Sequence, residues 1–170
     1  MATGYRSRTL PWPWLMKIEI ARVPIEDKPL LWDRLQNYCA EMMQYGNFQP
    51  VDGVFEYKWF DEYWREPDRH PFWALADGER AGFALVRRAD KRWEMAEFYS
   101  FPEFRRTGVA LDFARQLLKR FPGAWELSEY RSNVGAVAFW HRVIKKYPFA
   151  ERVYVGGEGK ERLEQTFVVP

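Results

Sequence analysis

The chain has 170 residues, a formal net charge of +2, and is 47% hydrophobic and 29% charged, enough for one domain that buries about 70% of its unfolded surface. Nine Trp, nine Tyr and thirteen Phe exclude a disordered polymer. The lone Cys39 excludes a disulfide scaffold, and with only His70 and His141 beside it no tetrahedral metal set forms without carboxylates. No apolar run reaches the roughly 18 residues that span a bilayer, and a near-neutral charge is no nucleic-acid footprint, so the expectation is no metal, no membrane and no nucleic acid.

In residues 1–15, Arg6 and Arg8 precede Leu10-Pro11-Trp12-Pro13-Trp14-Leu15. Two prolines interrupt the apolar run that a signal peptide requires, so this stretch reads as an irregular arm and a cytoplasmic setting is the default expectation. Met16 is a candidate native start, and residues 16–170 read as a single domain. Residues 16–23 alternate, with Ile18 and Ile20 against Lys17 and Glu19, which predicts a half-buried strand. Pro29 suits a first helical turn, and Leu31, Leu35, Tyr38, Cys39 and Met42 carry a helix to about Tyr45 before Gly46. Cys39 falls on the apolar stripe. Residues 46–56 read as loop, and 57–65 as a short helix with Trp59, Phe60 and Tyr63 turned inward, closed by Pro67.

Three strands follow, at 72–76, 80–88 and 93–101, the first two joined by the hairpin signal Asp77-Gly78. Arg87, Arg88, Lys91 and Arg92 read as a solvated hairpin tip. Residues 107–121 form the clearest helix, with Val109, Ala110, Phe113, Ala114, Leu117, Leu118 and Phe121 in one stripe. A strand at 125–129, a helix at 133–147 and a strand pair at 153–155 and 164–169 complete an α/β chain with a mixed sheet.

The chemistry concentrates where the third of those strands runs through Phe101-Pro102-Glu103-Phe104-Arg105-Arg106-Thr107-Gly108-Val109-Ala110 into a helix. First-turn amides of a helix have no partner within it, and the helix dipole favours an anion there. Gly108 and Ala110 leave room for close backbone approach, and Arg105 and Arg106 add positive charge. These parts describe a diphosphate cradle. A P-loop is excluded by the absence of Gly-Lys-Ser/Thr, and a dinucleotide fingerprint by the absence of its three glycines.

Pro102-x-x-Arg105-x-x-Gly108-x-Ala110 resembles the acyl-CoA motif of the GNAT acyltransferase superfamily, and Asn133-x-x-Ala136-x-x-Phe139-Trp140 is similar to that family's Asn-x-x-Ala-x-x-Phe-Tyr motif on the next helix. The motifs cover about residues 94–147; the order of elements agrees over 16–169. The resemblance implies a mixed, mostly antiparallel sheet of six to seven strands flanked by about four helices. It implies an N-acetyltransferase that moves an acetyl group from acetyl-CoA to a primary amine by direct attack in a ternary complex. The amides of Arg106, Thr107, Gly108, Val109 and Ala110, with Arg105, would hold the pyrophosphate. The strand edge at Phe98 and Ser100, with Asn133, would hold the pantetheine arm, and Phe139 and Trp140 would wall it. The family's usual acid is the Tyr of Phe-Tyr, and an indole does not release a proton; Tyr99, Tyr130 and Tyr147 are alternatives. For the base, Glu94 and Glu97 are the candidates. Period-2 alternation puts them on opposite faces unless the strand carries a bulge. Glu97, flanked by Ala96 and Phe98, is favoured over Glu94.

The aromatic run Phe55, Tyr57, Trp59, Tyr63 and Trp64 lies where this family covers its acceptor. The acceptor itself ranges from polyamines and amino acids to protein N-termini, and a homodimer is compatible with the resemblance. A non-catalytic acyl-CoA-binding module is the alternative that Trp140 raises, and a fold that has lost its ligand is a third.

Overall fold

Seven stretches of alternating or continuously apolar sequence form one sheet in the computed structural model, which describes residues 16–170. The arm at 1–15 lies outside the described residues. The strands are β1 (Ile18–Arg22), β2 (Arg69–Ala76), β3 (Glu79–Ala89), β4 (Arg92–Ser100), β5 (Gly123–Tyr130), β6 (Phe149–Val155) and β7 (Glu161–Val169). Their order across the sheet is β1-β2-β3-β4-β5-β7-β6. Every neighbouring pair is antiparallel except β4 and β5. Three helices, α1 (Lys28–Met42), α2 (Val109–Arg120) and α3 (Val134–Ile144), complete the fold.

The helices divide between the two faces of the sheet. Leu31, Leu35 and Cys39 are the buried stripe of α1, and Tyr38 from the same helix meets Phe83 and Tyr99 edge-on. On the other face Phe98 packs against Phe113 of α2 and against Phe139 and Trp140 of α3, with ring centroids 5.3, 5.4 and 5.1 Å away. Facing partners Phe83 and Tyr99 lie on one face and Phe98 on the other because side chains alternate along β4. The α2 stripe of Val109, Phe113, Ala114, Leu117 and Leu118 is buried as its periodicity requires.

The expected fourth helix at 57–65 is a single 3-10 turn, Asp61–Trp64. A segment this short cannot offset helix nucleation by itself, and tertiary contacts set its shape instead. Tyr63 and Phe60 are buried as expected, but Trp59 is 44% exposed and not turned inward. Trp64 is held by its indole N–H, which donates to the Val23 carbonyl at 3.1 Å. The turn is an aromatic wedge against β2, not a helix.

Gly82 on β3 has a different constraint from the turn glycines. A Cβ there would overlap the backbone oxygen of Tyr99 across the ladder. Gly82→Ala is expected to destabilise by about 1–3 kcal/mol through overpacking, lowering Tm by roughly 3–10 °C in a chain of this size; thermal unfolding followed by circular dichroism measures it.

Candidate functional site

Only two residue pairs join β4 to β5, Trp93↔Trp125 and Glu94↔Glu126. Past them the strands part, and a cleft of about 940 Å³ opens between Met95–Ser100 on one lip and Leu127–Tyr130 on the other. On its far side β4 is displaced by a bulge: Leu85 opposes Glu97 and Val86 opposes Met95, so Ala96 is left out of the ladder. A bulge bends the strand that carries it. It also resets the alternation, because Glu94 faces Arg87 and Glu97 faces Leu85, two residues of β3 on the same face. Glu94 and Glu97 therefore share the α1 face of the sheet, and simple alternation does not apply.

The two carboxylates nevertheless occupy different settings. Glu97 lines the main cleft. It accepts a 3.0 Å hydrogen bond from the Tyr57 hydroxyl, and the Tyr38 hydroxyl lies against the same carboxylate. Burial raises its pKa above the usual carboxylate range, opposed by the two phenols and by the charges of Arg162 and Arg87. Burial, and then the charge of Glu97, push both Tyr38 and Tyr57 well above an ordinary phenol, so both remain protonated donors. Glu94 instead makes the cross-strand ion pair, to Arg87 at 2.6 Å. It lines a smaller cavity of about 290 Å³ whose wall also includes Glu97, Tyr57, Trp59 and Arg69. Cys39 borders the main cleft, and its thiol is pushed up to about 12 by burial and by Glu97; it stays a thiol and is no nucleophile.

At the other end of the cleft the chain leaves β4, makes the 3-10 turn Pro102–Phe104, and enters α2. Arg106 (φ +61°) and Gly108 (φ +86°) both adopt the left-handed conformation. The Thr107 hydroxyl donates to the Phe104 carbonyl at 2.5 Å and receives a long contact from the Val109 amide. Among the described residues, the amides of Arg106, Thr107, Gly108 and Ala110 have no acceptor within the chain. Two left-handed residues in the turn before a helix leave these amides beside the positive end of α2, a candidate anion nest. Arg106 and Ala110 border the cleft. Arg105 borders it too but is committed elsewhere: its guanidinium holds both oxygens of Glu41, at 3.1 and 2.8 Å, and the Ser100 carbonyl at 3.1 Å. It ties the loop to α1, which leaves Arg106 as the exposed cation of the nest.

The α3 wall is made by Asn133, Ala136, Phe139 and Trp140. Asn133 caps the helix, its Oδ1 accepting from the Ala136 amide at 3.1 Å; its NH₂ is not used by the cap. Phe98 lies on the lip opposite, and the buried Ser100 hydroxyl has no partner. Among the described residues no strand pairs with the second edge of β4 from Met95 to Ser100. Trp140 is buried against Phe98 and Phe139. Of the alternative tyrosines, Tyr147 stacks on Phe167 and does not line the cleft. Tyr99 donates to Glu41 at 2.5 Å. Tyr130 borders the cleft beneath Arg162, its phenol pushed up to about 12 by burial and Glu158.

Residue-type patterns had not singled out Tyr38, Glu41, Arg162 or Glu129. For Glu129 a signal existed: in Trp125-x-Leu127-x-Glu129 a carboxyl takes the inward position of a strand.

Residues 32–144 match the profile of the Acetyltransferase (GNAT) family, and the chain belongs to that family. Solved structures share the fold. The ribosomal-protein-S18-alanine N-acetyltransferase of Escherichia coli superposes with a TM-score of 0.59 at 16% identity, over 90% of this chain and 94% of that one. The spermidine N-acetyltransferase of Vibrio cholerae, in complex with CoA and spermine, superposes at 0.62 with 14% identity, over 89% of this chain and 95% of that one. A search of curated protein sequences finds no match.

Removing the Tyr57 hydroxyl withdraws a hydrogen bond that favours the ionised form of Glu97. Tyr57→Phe is therefore expected to raise the pKa of Glu97 further. If Glu97 acts as a base, it must be ionised, and the acidic limb of the kcat/KM profile moves to higher pH in the variant. A limb that stays in place removes Glu97 from that role.

Proposed function

We propose that the chain is an acyl-CoA-dependent N-acetyltransferase that passes an acetyl group from acetyl-CoA to a primary amine of a small molecule or protein, by direct attack in a ternary complex. One observation carries this reading. Arg106 and Ala110, whose amides have no acceptor among the described residues, border the same cleft that Glu97 lines, so a candidate anion-binding end and a basic end share one channel. The nest suits the pyrophosphate, with the amides of Arg106, Thr107, Gly108 and Ala110 as donors and Arg106 as the free cation. The unpaired edge of β4 at Phe98 and Ser100 suits the amides of the pantetheine arm, which the NH₂ of Asn133 also reaches, with Phe139 and Trp140 as its apolar wall.

Glu97 is the base of this reading. Its raised pKa suits removal of a proton from an attacking amine, directly or through water in the smaller cavity. Glu94, ion-paired to Arg87, orders the floor of that cavity. The amide of Ala96, outside the β3–β4 ladder, is a candidate donor to the oxyanion that forms on the acetyl carbonyl. Cys39, kept as a thiol, offers no acyl-enzyme route, which favours direct attack. The smaller cavity sets Glu94, Glu97 and Glu126 against Arg69, Arg87 and Arg162. Such a charge-balanced wall favours an amine that carries its own polar or anionic group over a polyamine, which a wall of one sign would hold better.

Acetyl-CoA at 100 times its Kd is expected to stabilise the fold by about 2.7 kcal/mol, a rise in Tm of roughly 5–10 °C, with ATP as the control. Gly108→Asp is expected to abolish the shift by placing a carboxylate in the nest. Space is open around a Cβ there, so the cost to folding is limited to about 1–2 kcal/mol of left-handed strain. An unchanged acetyl-CoA shift in the folded variant would sink the assignment. Thiol release that depends on an added amine separates this enzyme from a non-catalytic acyl-CoA-binding module, the reading favoured by Trp140 at the acid position.

A further inference from the structure

Trp140 leaves the α3 wall without a phenol, yet that wall carries a buried carboxyl. Glu129 continues the series Trp125, Leu127, Glu129, which alternates to the inward side of β5, and it lines the main cleft. The residue is 6% exposed. Its Oε1 accepts a 2.6 Å hydrogen bond from Nε2 of Gln165 on β7, a residue with no exposure. Its Oε2 is buried and has no partner among the described residues. A carboxylate half-served in this way is unfavourable when ionised, and burial raises its pKa to about 7. The titratable groups facing it are His141 from α3, Glu151 from β6 and Arg162 from β7. The Gln165 amide also reaches Glu151 at 3.3 Å, and Glu151 pairs with His141 at 2.5 Å, which links the carboxyl to the exposed flank of α3.

Position in the wedge gives the carboxyl its meaning. The last paired residues of β4 and β5 are Glu94 and Glu126. Glu97 and Glu129 each lie three positions further along, about 7–10 Å beyond the apex at the usual rise per residue. They stand on opposite lips, Glu97 on the α1 face and Glu129 on the α3 face. Glu97 also lines the smaller cavity and Glu129 does not, so a thioester lying between the lips would have Glu97 on the side of the smaller cavity and Glu129 on the other.

We propose that Glu129 is the acid that protonates the departing sulfur, a role that rests on the acetyltransferase reading above. In this step the amine nitrogen bonds to the acetyl carbon and yields a proton to Glu97. The carbon–sulfur bond breaks and the sulfur keeps its electron pair. The sulfur takes the proton of Glu129, and the remaining carboxylate regains one from solvent.

The test uses the full chain and hydroxylamine as acceptor, a nucleophile small enough to enter any acceptor pocket and unprotonated at neutral pH. CoA release from acetyl-CoA is followed across pH beside acetyl-CoA binding by thermal shift. Since the acid works only while protonated, the wild-type rate is expected to fall as pH rises above about 7. Glu129→Gln keeps the shape and the contact to Gln165. It is expected to bind acetyl-CoA normally, to lose about tenfold to a hundredfold in rate at pH 7, at or below the lower end of ordinary acid catalysis, and to lose the alkaline limb. His141→Gln is expected to keep that limb. Gln165→Leu removes a hydrogen bond that favours the charged form, so it is expected to move the limb to higher pH, and it serves if Glu129→Gln does not fold. A purely structural Glu129 would alter Tm or affinity and leave the shape of the profile unchanged. Absence of any acetyl-CoA shift in the wild type overturns the acetyltransferase reading and this one with it. Normal acetyl-CoA binding without accelerated release points to the non-catalytic module and overturns both readings, whereas a Glu129→Gln variant that retains rate and limb overturns this inference alone.

Discussion

Two residue pairs hold β4 to β5, and almost everything in the site depends on the strands parting after them. A parallel pair that continued to Ser100 and Tyr130 would satisfy both backbone edges and close the sheet. Because it stops, one edge of β4 runs free of any strand alongside a cleft of about 940 Å³. Backbone polar groups in such a place need a partner from water or from a ligand. The parting therefore leaves a candidate binding edge made of main chain, beside which the side chains can be largely apolar.

The bulge at Ala96 acts on the same region. It adds one residue to β4, so Glu94 and Glu97 fall on one face in place of two. Arg87 pairs with one oxygen of Glu94, and Glu97 is left to the phenols of Tyr57 and Tyr38. An ion pair favours the charged carboxylate, whereas burial with neutral donors leaves a carboxylate that can take up a proton. Two glutamates three residues apart thus have different chemistry, decided by their neighbours.

Charge is distributed along the cleft with similar economy. Arg105 is bound to Glu41 and Ser100 and serves to fix the loop to α1. The candidate anion nest is built from backbone amides around the left-handed residues Arg106 and Gly108 and from the dipole of α2. Backbone donors cannot rotate away, so the nest is preorganised in a way that flexible arginines are not. The aromatic packing of Phe98 on Phe113, Phe139 and Trp140 holds α2 and α3 against the same strand, and with them the nest and the capped Asn133.

Much of this was legible in the sequence. Strong periodicity fixed the existence of α1, α2 and α3 and of all seven strands, and the Arg105-x-x-Gly108-x-Ala110 run marked the loop before α2, because local propensity and patterning are carried by neighbouring residues. The short turn at Asp61–Trp64 was not legible as such, since long-range burial of Phe60 and Tyr63 overrode a helical reading. Nor was the face of Glu94, which depends on a bulge visible only in the pairing with β3. The commitment of Arg105 to Glu41, 64 positions away, the two phenols on Glu97, and the half-satisfied carboxyl of Glu129 against Gln165 are all contacts between distant segments. Sequence by itself determined which residues could form the elements and which loop leads into α2. Only the tertiary structure decided which charged groups are paired and which are free to react, because ionisation in a cleft is set by burial and by partners brought in from elsewhere in the chain.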